Sequence, residues 1–132
     1  MEQIYTIPVN EAFEESMANP GLGCPFCRLY NKLEQDELDL ILGASMMEPD
    51  VRVKTNELGF CRDHFAMMIR RPKRLPLALV LASHLAEQNQ NLGRGAMFIG
   101  KAGENAAKKF TTLQKSCYVC ERIEYNFVRM QE

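Results

Sequence analysis

Cys24-Pro25-Phe26-Cys27-Arg28-Leu29-Tyr30-Asn31-Lys32-Leu33, continued through Leu40 and Ile41 to Gly43, is the stretch on which the fold turns. Leu29, Leu33, Leu40 and Ile41 recur at helical intervals, and Pro25 stands where a first helical turn tolerates proline. The stretch predicts an amphipathic helix that opens on two thiols. Upstream, an extended lead-in to Pro8 precedes a helix N-capped by Asn10 and stopped at Asn19-Pro20-Gly21. Downstream, Pro49 opens a short helix that Gly59 closes as a left-handed cap, and Phe65, Met68 and Ile69 mark another between Arg62 and Arg71. Pro72 breaks the pattern, which restarts near Leu75. Leu75, Leu77, Leu79, Val80, Leu81 and Leu85, with Ala78, Ala82 and Ala86, leave the first half of that helix apolar nearly all round, as a buried central element would be. Asn91 to Gly103 reads as a glycine-rich loop, followed by helices over 104–114 and 120–130. Strand alternation is almost absent, so the expected fold is all-α, a small helical bundle.

At 132 residues the chain fits a single domain. A net charge of -1 gives no global field toward nucleic acid or an anionic membrane. The longest apolar run, Leu77 to Ala82, is far below the roughly 20 residues that span a bilayer, so no membrane helix is expected. The opening Met1-Glu2-Gln3-Ile4-Tyr5 has no secretory pattern, which points to the cytoplasm. In reducing surroundings five cysteines argue for metal or redox chemistry over a disulfide framework.

Cys24-x-x-Cys27 and Cys61-Arg62-Asp63-His64 each sit at a predicted helix start, where backbone amides and the helix dipole favour thiolates. Together they supply three cysteines and one histidine, a closed tetrahedral set that suits structural zinc, and the 33 residues between them are spanned by a helical hairpin. The expected site is therefore zinc held by Cys24, Cys27, Cys61 and His64, clamping the N-terminal hairpin. With every position filled by protein, no catalytic residue and no hydrolysis at the metal are expected. Cys117-Tyr118-Val119-Cys120 is a third pair, followed like the first by an amphipathic helix at an offset of 93 residues. A tandem repeat would make 1–92 a first zinc unit, 93–116 a loop and connecting helix, and 117–132 the start of a second unit within one helical domain. Cys117 and Cys120 then form an incomplete half-site. Its thiols are free, oxidised to a disulfide on handling, or shared across a homodimer in a four-cysteine site, the first two being preferred.

This architecture resembles a family of uncharacterised bacterial proteins of unknown function. Its marks are Cys-Pro-x-Cys, Gly-aromatic-Cys-x-x-His and a second Cys-x-x-Cys, carried here by Cys24 to Cys27, Gly59 to His64 and Cys117 to Cys120. The resemblance implies a helical zinc-binding protein and no particular reaction.

Other tempting residues read more plainly. His84 shares a face with Leu77, Val80 and Leu81, as a hydrogen-bonded core histidine does; its alternative is a third ligand for Cys117 and Cys120. Glu34, Asp36, Glu37 and Asp39 read as a solvated helix face, since neither histidine has the glutamate three residues earlier that a di-iron bundle needs. Arg70, Arg71, Lys73 and Arg74 lack interleaved aromatics, which disfavours nucleic acid. Two function classes remain: a zinc-stabilised module that binds another protein, and a thiol-disulfide switch or oxidoreductase using a Cys-x-x-Cys pair. Cys-Pro-Phe-Cys is similar to the active-site turn of glutaredoxin-like enzymes, but without the buried strand that precedes that turn.

Overall fold

In a computed structural model, which describes residues 3–96 and 100–132, the chain forms seven α-helices and no strand among those residues. They are α1 (Gln3–Ala18), α2 (Pro25–Ile41), α3 (Pro49–Leu58), α4 (Arg62–Arg70), α5 (Arg74–Ala96), α6 (Lys101–Leu113) and α7 (Tyr118–Gln131). The punctuation follows local chemistry. Asn19 caps a short 3-10 turn by accepting the Gly21 N–H at 3.1 Å, Pro25 and Pro49 open α2 and α3, and Gly59 ends α3 by donating its N–H to the Thr55 carbonyl at 2.9 Å.

Two boundaries differ from the sequence expectation. The lead-in to Pro8 is helical from Gln3, with Pro8 and Asn10 inside α1. Proline there removes the donor for the Ile4 carbonyl and crowds that carbonyl, yet the segment stays helical on both sides of it. The expected loop from Asn91 is helical as far as Ala96, and α6 begins at Lys101; residues 97–99 of that expectation lie outside the described residues. A helical glycine costs about 1 kcal/mol against alanine, too little to end a helix flanked by α6. The hub role expected of α5 holds in that α3, α4 and α6 all lie against it. Its burial is narrower than expected: Leu77 and Val80 are buried, while Leu75 and Leu85 are 69% and 63% exposed.

The chain divides into two compact units, Met1–Glu37 with Glu121–Glu132, and Leu38–Cys120. In the first, Ala12, Leu29, Leu33 and Ile123 are buried. Phe26 meets Phe13 and Phe127 edge-to-face at 5.3 and 6.4 Å, a geometry that aromatic quadrupoles favour. Arg28 pairs with Glu15 and donates to the Ala12 carbonyl at 3.4 Å, tying α2 to α1. Glu37 departs from the solvated acidic face: it is buried, accepts a hydrogen bond from Asn126 Nδ2 at 3.2 Å and lies 3.5 Å from Arg122 Nε.

In the second unit Leu38, Ile41, Leu42, Met68, Val80 and Val119 form the core. A polar seam joins α3 to α5. The Arg52 guanidinium donates to the Met46 and Leu79 carbonyls, both at 2.7 Å, and Asn56 Nδ2 donates to Ser83 Oγ at 2.9 Å.

Candidate metal centre

The turn between α3 and α4 and the turn into α7 are laced together by backbone atoms. The Tyr118 N–H, one of the donors that the first turn of a helix leaves unpaired, binds the Gly59 carbonyl at 2.9 Å, and Ser116 Oγ donates to the Leu58 carbonyl at 2.6 Å. Cys61 caps α4, its sulfur accepting the His64 N–H at 3.5 Å, so Cys61 and His64 share the first turn of that helix. Cys117 and Cys120 bracket the start of α7 in the same way, and Tyr118 and Val119 between them are buried.

Gly59 makes this approach feasible. Its φ of 64° and ψ of -156° lie in a region occupied essentially by glycine alone. A Cβ there would stand 3.1 Å from His84 Cε1 and 3.3 Å from Leu113 Cδ1. Gly59→Ala is expected to lower stability by about 1–3 kcal/mol through backbone strain, with the crowding added to it. Denaturant unfolding checks this; a midpoint equal to that of the wild type would show that the turn relaxes freely.

Cys61 Sγ, His64 Nδ1, Cys117 Sγ and Cys120 Sγ all lie within 4.8 Å of one another. His64 Nδ1 is 3.2, 3.4 and 3.3 Å from the sulfurs of Cys61, Cys117 and Cys120, and Cys61 Sγ is 3.9 Å from Cys120 Sγ. Tetrahedral zinc, with bonds of about 2.0 Å to nitrogen and 2.3 Å to sulfur, separates sulfurs by about 3.8 Å and sulfur from nitrogen by about 3.5 Å. The three distances from His64 Nδ1 and the 3.9 Å between Cys61 and Cys120 are close to those values, and the group could hold a metal ion.

The electrostatics fit the same conclusion. Burial pushes the Cys117 thiol up, against backbone N–H groups of Cys120 and Cys61 that donate to its sulfur. Cys120 is pushed up to about 12, first by desolvation and then by the charges and hydrogen bonds of Cys117 and Cys61. The residue presents surface to solvent, yet its sulfur is turned into the group at 3.3 Å from His64 Nδ1. Cys117 and Cys120 both resist ionising here, and a bound dication would reverse that preference.

The structure brings together only part of the set expected from spacing. Cys61 and His64 meet Cys117 and Cys120, where Cys24 and Cys27 were expected, and all four belong to the unit Leu38–Cys120. Cys117 and Cys120 thus stand, as free thiols, in a group within one chain that could hold a metal ion. Cys24 and Cys27 belong to the other unit, where both are exposed. There the Cys27 backbone N–H, and then its thiol, donate to the Cys24 sulfur and hold the Cys24 thiol below its usual range. Cys27 is raised, chiefly by that thiol hydrogen bond and then by the charge on Cys24. His84 is the hydrogen-bonded histidine expected of it, with Nδ1 3.0 Å from the Asn56 carbonyl oxygen. The positioning roles of Ser116 and Gly59 were not foreseen; the buried Tyr118-Val119 pair is the signal that marks the third motif as an inward turn.

Among the described residues no helix is long and apolar enough to cross a membrane. No curated protein and no solved structure matches the chain. A family described as a family of unknown function, DUF6062, matches residues 1–132, and the chain belongs to it.

Proposed function

We propose that Cys61, His64, Cys117 and Cys120 hold a structural zinc ion, and that the chain is a zinc-stabilised module that binds another protein. The observation that carries the metal reading is the gathering of four ligand atoms within 4.8 Å of one another from two helix starts. Thiolates and imidazole together suit zinc, and a site closed by four protein ligands leaves no position for water or substrate. The ion would supply cross-linking between the start of α4 and the start of α7. Support for the binding reading comes from α5, which exposes Leu75, Leu79 and Leu85, and from a net charge of -1, which offers nucleic acid no general attraction.

Elemental analysis of chain purified without chelator is expected to return close to one zinc per chain, falling to background in His64→Ala. Iron in place of zinc, or no metal together with rapidly alkylated Cys61, Cys117 and Cys120, would overturn the metal reading. The binding reading is tested on the same metal-loaded chain. A partner retained equally well by a Leu75→Ser, Leu85→Ser double variant would remove the support drawn from α5.

A further inference from the structure

Cys24 and Cys27 are the thiols that the metal reading does not use. We propose that they form a reversible dithiol-disulfide couple, oxidised by low-molecular-weight disulfides of the glutathione type and using no residue of the metal centre. Three observations converge on this pair. The residues are three apart at the start of α2, with the Cys24 carbonyl accepting the Arg28 N–H at 3.1 Å, so both side chains occupy one face of a single turn. The Cys27 backbone N–H and thiol hold the Cys24 thiol below its usual range, which favours the thiolate that attacks a disulfide. Both are exposed, and a Cβ added at Gly23, the preceding residue, would meet nothing within 4 Å, so a small disulfide has room to reach Cys24. Phe26, between the thiols, is fixed by its edge-to-face contacts with Phe13 and Phe127, which hold the turn in place while the thiols face solvent.

The chemistry balances without a metal. The Cys24 thiolate attacks one sulfur of the small disulfide, whose S–S bond breaks and releases a first thiolate, leaving a mixed disulfide on Cys24. Cys27 then loses its proton to solvent, and its sulfur attacks that of Cys24. The mixed disulfide breaks, a second thiolate leaves, and both released thiolates take up protons. The protein loses two electrons and two protons, and the small disulfide becomes two thiols. Cys24 is the attacking residue because the N–H and S–H of Cys27 donate to its sulfur and favour the thiolate.

The test treats the zinc-loaded full chain with oxidised glutathione under nitrogen, followed by intact mass, peptide mapping and zinc content. The expected wild-type product has lost two hydrogen atoms, is cross-linked between Cys24 and Cys27, keeps its zinc, and is restored by dithiothreitol. Cys27→Ser is expected to stop with glutathione on Cys24, and Cys24→Ser to form no cross-link. The proposal is overturned if the wild type stays reduced, if Cys27→Ser gathers no adduct on Cys24, or if the cross-link forms among Cys61, Cys117 and Cys120 with loss of zinc. It is equally overturned if Cys24→Ser lowers the zinc content, which would make this pair metal ligands. An absence of zinc with the cross-link at Cys24 and Cys27 intact would sink the metal reading alone.

Discussion

Chelated wild type and Cys117→Ser are both expected to melt well below the metal-loaded wild type, while Cys24→Ser keeps the wild-type melting temperature. The contrast is large because structural zinc in small domains contributes about 10–16 kcal/mol of apparent binding free energy at neutral pH, against a total stability of about 5–15 kcal/mol for an ordinary domain. Cys117 is 5% exposed, so serine there also buries a hydroxyl, at about 1–3 kcal/mol, which is small beside the loss of a ligand. Chelating the wild type separates the two contributions, since it removes the metal and leaves the thiol. Thermal melts followed by circular dichroism, with metal content measured on each variant, provide the comparison. If Cys24→Ser lost the metal and Cys117→Ser kept it, the ligand set would revert to Cys24, Cys27, Cys61 and His64, the pairing that sequence spacing favoured.

That pairing shows where the sequence stops being legible. The helices could be read from the chain because their signals are local: Pro25 and Pro49 at helix starts, Gly59 past a helix end, leucines at turn intervals in α2. The chemistry of each motif was equally local, since thiols and imidazole at helix starts are ligands or nucleophiles wherever the chain later carries them. Which motif meets which is not local. Cys61 can close a site with Cys27 across 33 intervening residues, or His64 with Cys117 across 52, and the difference in loop-closure entropy is only about 0.4 kcal/mol. The hydrogen bonds from Ser116 to Leu58 and from Tyr118 to Gly59 accompany the second pairing, and each links residues more than fifty positions apart. Glu37 is the same lesson on a smaller scale. Among the neighbouring carboxylates of its helix it looks solvated, and only the tertiary fold brings Asn126 and Arg122 to it.

Metal-free and metal-loaded protein are expected to respond to pH with opposite signs. In the metal-free chain Cys117 is raised, and Cys120 is raised from 9.0 to about 12, so the folded state holds these protons more tightly than the unfolded chain does. Stability from this source is fully present below the unfolded thiol range and is lost as pH climbs from about 9 toward 12. With metal bound the order inverts. Coordination requires three thiolates and a neutral imidazole, so binding releases protons that the unfolded chain retains, and stability rises from acid toward neutrality before levelling near the thiol range. If all three thiols bind as thiolates, apparent metal affinity below that range falls by up to roughly a thousandfold for each pH unit of acidification. Competition against a chelator of known affinity between about pH 6 and 8 measures the slope. A slope near one proton would mean that two of the three sulfurs do not bind as thiolates, and would overturn the four-ligand site. A slope near three would tie the metal to Cys61, Cys117 and Cys120 together, because in the unit Leu38–Cys120 these are the thiols gathered around His64.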